Sequence, residues 1–310
     1  MTSTTDPAAA SEQQAVPRIS VVVPAFNAAW CIRRAVDSVL AQTCRNFELI
    51  VVDDGSTDDT ADILAGYGSA LRVVRQANGG LSSARNAGIA AAKGEFVALL
   101  DADDWWHPDK LARQLDLMDR RSELVFCSTS TAVRTPDGTA LPPWRCAGAQ
   151  GRILEAIFQT HALVAGSGSA VMVRRTALSA VGGFDETLRS LEDIDMWMRL
   201  ATQGEFACID EPLATIEKRA DSMSGNLDVM RASAIAVMKK NRDLLPPALR
   251  GGFWRAAYAG MLADYAKWEY RRGHALRAMA HLTHGLLLAP VRKGRLLAGL
   301  LLAMLMRRPL

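Results

Sequence analysis

Asp101-Ala102-Asp103 is the segment of this 310-residue sequence best suited to holding a hard cation. Two carboxylates two positions apart in an extended loop can face one Mg²⁺ or Mn²⁺, which prefers oxygen ligands and leaves positions open for phosphate oxygens. Zinc fits poorly, because no Cys or His stands at useful spacing. Taken alone, the same three residues would more often make a solvated acidic turn capping the following helix. Asp53 can accept hydrogen bonds from a base or a ribose, while its neighbours Asp54, Ser56 and Thr57 can cap the next helix. Arg85 and Asn86 follow the Gly79-Gly80 turn and could reach a diphosphate, or simply face solvent on a helix. Asp193 stands at a helix start, where the macrodipole favours the charged carboxylate. That suits a general base, and it suits a plain N-terminal cap. Glu192 and Asp195 compete with it for the base role, although Asp195 points to a different helix face.

The elements that must position these residues read as alternating strands and helices. Ile19 to Val23 is a continuous β-branched run closed by Pro24, the pattern of a strand buried on both faces. Ala28 to Gln42 has helical spacing. Phe47 to Val52 is a second buried strand, followed by a helix from Thr60 to Ala65, a strand from Leu71 to Arg75, a helix from Ser82 to Ala92 and a strand from Phe96 to Leu100. Such alternation predicts parallel βαβ units in an open sheet. Ligands bind beyond the C-terminal strand ends of such sheets, where Asp53 and Asp101 both fall. Further on, the pattern predicts a helix at Lys110 to Arg120, a strand at Leu124 to Ser128, a turn at Pro136-Asp137-Gly138, a strand at Ala170 to Val173 and a helix at Glu192 to Thr202. Beyond Asn226 only helical patterns remain.

Six segments occur in order: Val23-Pro24-Ala25-Phe26-Asn27, Val52-Asp53-Asp54-Gly55-Ser56-Thr57-Asp58-Asp59-Thr60, Asn78-Gly79-Gly80 with Ala84-Arg85-Asn86, Leu100-Asp101-Ala102-Asp103-Asp104, Gly183-Phe184-Asp185-Glu186 and Glu192-Asp193-Ile194-Asp195-Met196-Trp197. Together they resemble the family 2 glycosyltransferases over roughly Pro17 to Arg219. The resemblance implies an α/β GT-A fold, a Rossmann-like and mostly parallel central sheet flanked by helices, with a C-terminal helical extension here. It also implies roles. Pro24, Asp53 and Asp54 would lie by the nucleoside, and Arg85 would approach the donor. Asp101 would contact the nucleotide, Asp103 would bind Mg²⁺ or Mn²⁺ on the diphosphate, and Asp193 would be the catalytic base of an inverting transfer. The processive branch of the family carries a Gln-x-x-Arg-Trp motif that is absent here, which favours single additions. The implied partners are a nucleotide-diphosphate sugar and a saccharide or lipid-linked acceptor, in surface glycan synthesis, with no nucleic acid. A non-catalytic nucleotide-sugar-binding scaffold is the alternative. A nicotinamide oxidoreductase is disfavoured, since Pro24-Ala25-Phe26-Asn27 stands where G-x-G-x-x-G would be needed.

Charge divides the chain. Residues 226–310 carry 15 Lys and Arg against 4 Asp and Glu, a net of +11, while the remainder carries 21 against 29, a net of −8. An acidic body suits metal–phosphate complexes, and a basic tail suits an anionic partner. The apolar runs Gly285 to Ala289 and Leu296 to Met306, split by basic residues, are too short to span a bilayer and match an interfacial segment. A helical cap packed on the body is the competing reading. Three regions are expected: a disordered lead-in over 1–16 without a visible signal peptide, a catalytic domain over 17–220 and a basic helical region over 221–310. The five scattered cysteines read as reduced thiols, consistent with a cytoplasmic site, peripheral to the membrane face.

Overall fold

The computed structural model describes residues 16–146, 148–160, 164, 168–219 and 226–306; nearly all of the expected lead-in lies outside them. The first half comprises β1 (Ile19–Ala25), α1 (Ile32–Leu40), β2 (Phe47–Asp53), α2 (Thr60–Ala65), β3 (Arg72–Arg75), α3 (Leu81–Ala91) and β4 (Phe96–Leu99). Next come β5 (Trp105–Trp106), α4 (Lys110–Arg120), β6 (Leu124–Arg134), β7 (Ala140–Trp144), β8 (Gln150–Gly151) and α5 (Leu154–Gln159). β9 (Met172–Arg174), α6 (Arg175–Ala180), α7 (Glu192–Leu200) and β10 (Glu205–Glu217) complete the sheet. Four helices end the chain: α8 (Leu227–Lys240), α9 (Gly252–Arg271), α10 (Ala275–Leu288) and α11 (Gly294–Leu305).

The strand order is β3-β2-β1-β4-β9-β6-β10-β5, with β7 on β6 and β8 on β10. The first four strands are parallel. β9 runs antiparallel to both β4 and β6, and β10 is parallel to β6. Side chains alternate between two cores. Val22, Ile50, Val52, Val97 and Leu99 face one layer with α3, α5 and α7, while Val21, Val23, Leu49, Val51 and Ala98 face the other with α1, α2 and α4. Burial on both faces is why these strands read as unbroken apolar runs. α3 lies close on the sheet at Gly88, where a Cβ would overlap Val22.

β1 continues through Pro24 to Ala25, beyond the expected end. Its pairing with β4 stops at Val22, so the proline interrupts no ladder with that strand. β10, the longest strand, has no counterpart in the sequence reading. Asp210, Glu211 and Pro212 break its apolar alternation, and its register against β6 shifts between Ile209 and Ala214, where the proline is accommodated. The cysteine reading also needs correction. Cys146 and Cys208 are joined in a disulfide with Cα atoms 6.0 Å apart, tying the segment after β7 to β10. A separation of 62 residues leaves no local signal for that pairing. Cys31, Cys44 and Cys127 are free.

In the tail, α9 contributes Ala257, Tyr258, Met261 and Tyr265 to the same core as α5 and α7. α10 and α11 add a small cluster of their own on the other side of α9. Among the described residues, no helix is long and apolar enough to cross a membrane.

Candidate active site

Because β1, β2 and β4 are parallel and adjacent, their C-terminal ends share one edge, and Pro24, Asp53 and Asp101 lie along it. Asp53 is 5% exposed; its Oδ1 accepts the Ser56 amide at 3.0 Å and its Oδ2 is 3.8 Å from Arg75 Nε. Pro24 is buried opposite Val52. Asp54 has a different task. Its carboxylate accepts the amides of Gly79 (2.9 Å) and Gly80 (2.8 Å) and the side-chain amide of Gln76 (2.7 Å). It therefore clasps the turn into α3, where Gly80 takes φ 87° as the helix N-cap.

α3 carries Arg85 inward. The guanidinium is 2% exposed; Nη2 donates to Asp101 Oδ1 at 2.7 Å and Nη1 to Glu192 Oε1 at 2.8 Å. One buried side chain thus joins the acidic loop after β4 to the start of α7. The next residue, Asn86, locks the Gly183-Phe184 loop: it accepts the Phe184 amide at 2.7 Å and donates to the Phe184 carbonyl at 2.9 Å. A Cβ on Gly183 would stand 2.6 Å from Asn86 Oδ1, so only glycine fits there. The Phe184 ring lies 5.2 Å from the Arg85 guanidinium carbon.

Three residues bracing the acidic loop escaped sequence reasoning. Arg34 of α1 donates to the Asp103 carbonyl at 2.9 Å and to Glu217 at 2.8 Å, and stacks 3.9 Å above Trp105. Ser169 accepts the Asp101 amide at 3.0 Å and donates to Asp104, and its carbonyl accepts Trp106 Nε1 at 2.7 Å. Glu217, at the end of β10, comes from the unanticipated strand. All three partnerships span more than 60 positions, and no periodicity encodes them. Burial and the neighbouring Asp101 push the Asp103 carboxyl up, and burial with Asp101 and Asp103 pushes Asp104 well above its ordinary range. Trp106 is buried in the sheet core and Trp105 half-buried beneath Arg34, so packing accounts for both indoles.

α7 presents two carboxylates in opposite circumstances. Asp195 is fully buried and neutralised: Arg199 donates to it at 2.9 Å, Asn241 at 2.8 Å, and Lys240 lies at 2.9 Å. Asp193 is half-buried and, among the described residues, accepts only the adjacent Ile194 amide, at 2.7 Å. Burial pushes its carboxyl up to about 7; Glu192 and Asp101 add to the rise and Arg85 opposes it. Leu191, just before the helix, holds φ 59°, a left-handed conformation that an ordinary side chain rarely adopts. That kink sets where α7 begins. The structure therefore gathers Asp101, Asp103, Arg85, Glu192 and Asp193, with Asp53 further along the same sheet edge. No group of three or more His, Cys, Asp or Glu side chains among the described residues forms a ready-made metal cage.

A Rossmann-like sheet with an acidic loop past its fourth strand is the GT-A architecture, and solved GT-A structures superpose on it. Residues 1–349 of S. aureus TarS match with a TM-score of 0.64 at 20% identity, over 88% of this chain and 81% of that one. A Pyrobaculum calidifontis mannosyltransferase in complex with GDP-Man and Mn²⁺ matches with a TM-score of 0.60 at 20% identity, over 93% and 81%. The chain belongs to glycosyl transferase family 2, whose model matches residues 20–182. An uncharacterized glycosyltransferase of Rickettsia prowazekii is 30% identical over 187 residues, 59% of this chain and 58% of that protein. The chondroitin synthase of Pasteurella multocida is 29% identical over 230 residues, 73% of this chain but only 23% of the synthase.

Proposed function

We propose that this chain is an inverting, metal-dependent glycosyltransferase that moves a sugar from a nucleotide diphosphate to an acceptor hydroxyl. The observation that carries this reading is Asp193: a carboxyl raised to about 7, with no ion pair of its own among the described residues, one ion pair away from the acidic loop. An acceptor hydroxyl is a poor nucleophile. Asp193 takes its proton as the new oxygen–carbon bond forms at the anomeric carbon, and the bond to the diphosphate breaks on the opposite face. A base titrating near neutrality is matched to that task. Arg85 holds Asp101 and Glu192 in place and offsets part of their charge beside the departing diphosphate. Asp101, Asp103 and Asp104 crowd one loop, and Asp103 and Asp104 are raised by burial first and by the charge of Asp101 second; such a set of hard oxygen ligands fits Mg²⁺ or Mn²⁺, which Asp103 would hold with Asp101 beside it. Such an ion would supply charge neutralisation on the leaving diphosphate. Pro24 and Asp53 line the nucleoside end, and Asp54 shapes it from behind through the Gly79-Gly80 turn.

The acceptor is a growing surface glycan or a lipid-linked saccharide, reached at the cytoplasmic face of the membrane. The basic tail and its exposed apolar residues support that location, by attraction to anionic lipid. Thermal shift across a panel of nucleotide sugars with Mn²⁺, followed by a product assay on the stabilising donor, tests the proposal. One donor should raise the melting temperature and be consumed only when metal is present. Binding without transfer or hydrolysis of any donor would make the chain a scaffold instead.

A further inference from the structure

A cavity of about 460 Å³ lies between the C-terminal end of α5, the first half of α9 and the turn joining α10 to α11. Phe253 and small residues of α9 form its apolar wall, Gln159 and Thr160 supply polar groups, and Arg292 and Lys293 supply charge. The two cations lie over glycines of α9: Cβ atoms at Gly252 and Gly260 would each stand 3.7 Å from Arg292 or Lys293. Bulkier residues would lift them out. Some basic residues of the tail are partnered, as Arg231 is by Glu269 and Lys267 by Asp264. Among the described residues, Arg292 and Lys293 pair with no carboxylate.

Two uncompensated cations, two hydrogen-bonding side chains and an apolar wall in one cavity select an anion attached to something greasy. The surroundings point the same way. Leu287 (78% exposed), Val291 (94%) and Leu296 (44%) bracket the cations in sequence and present apolar surface to solvent. We propose that this cavity seats the phosphate headgroup of an anionic membrane phospholipid, with the α10–α11 turn against the bilayer. The inference rests on the membrane association proposed above and narrows it from a diffuse attraction to a site. α5 also packs on α7, so a lipid held here would fix the distance between the bilayer and Asp193.

The test uses the full chain and vesicles of phosphatidylcholine with or without phosphatidylglycerol, read by co-sedimentation. Removing one basic residue near an anionic surface weakens binding about fivefold by diffuse electrostatics alone. Arg292→Ala and Lys293→Ala should each cost well beyond that, about thirtyfold, whereas Arg295→Ala, which removes the same charge outside the cavity, should cost about fivefold or less. Ala257→Trp, which fills the cavity and keeps every charge, should also weaken binding more than Arg295→Ala does. Equal losses for all three charge variants, with no effect of Ala257→Trp, would overturn the site while leaving membrane association standing. No binding of the unaltered protein to anionic vesicles would remove both. Displacement from vesicles by millimolar glycerophosphate, at constant ionic strength, would reassign the cavity to a soluble phosphate and overturn the lipid.

Discussion

The sheet edge and the C-terminal helices treat charge in opposite ways. Along the edge almost every ion is buried and held by named partners: Asp54 by three donors, Arg85 by two carboxylates, Asp195 by three groups. In the α10–α11 region the cations are exposed or unpaired, and large apolar side chains lie beside them in solvent. Buried pairing fixes geometry at a cost in desolvation, which chemistry requires. Exposed cations next to apolar surface fix nothing internally and are suited to meeting something outside the molecule. Asp193 stands apart within the first region, since among the described residues it alone of the α7 carboxylates lacks a countercharge of its own.

The sharpest way to break that contrast is Asp193→Asn. Transfer should fall about 10³-fold, with donor affinity unchanged by calorimetry; full turnover would strip Asp193 of its role. Arg85→Met leaves two carboxylates facing each other without their shared cation, and should destabilise the protein by about 3–5 kcal/mol in urea melts. Asp195→Asn should cost about 3 kcal/mol yet leave turnover per folded molecule intact, which separates two aspartates one helical step apart. A smaller effect concerns pH. The folded carboxyl of Asp193 titrates near 7 rather than at its ordinary 3.8, so the folded state binds a proton that the unfolded chain has released between those values. Asp193 thus favours folding as pH falls from about 7 and opposes it above, and kcat/KM should drop below pH 7 with a slope of one. In Asp193→Asn the corresponding pH dependence of stability should vanish. At the other end of the scale, Arg295→Ala should shift stability by less than about 0.5 kcal/mol; a larger loss would mean the tail carries hidden internal pairing.

The parallel half was legible because its constraints are local. Each strand is an unbroken apolar run, each acidic cluster ends one, and six ordered segments together pointed to one family. The positions of Asp53, Asp101 and Asp193 followed from those patterns. What stayed hidden depends on distance along the chain. Asp54 reads like Asp53 yet spends its carboxylate on the Gly79-Gly80 turn, and only the folded turn shows why. Arg34, Ser169 and Glu217 brace the acidic loop from three remote segments. Cys146 and Cys208 meet across β10, a strand whose acids and proline conceal it. Arg85 reads from the sequence as a residue that approaches the donor, and its two carboxylate partners could not be read from a helix that otherwise looks half-exposed.

β10 has a consequence for how the protein is made. The four parallel strands end at Leu99, with β4 closing back onto β1, so they can pair among themselves once that segment has emerged from a ribosome. Among the described residues, Trp105–Trp106, the short strand next to the acidic loop, pairs only with Ala214 and Thr215. The loop therefore lacks its flanking support until more than a hundred further residues have been synthesised. A nascent chain halted in between would carry β1 to β4 already paired beside an acidic loop that still lacks that support.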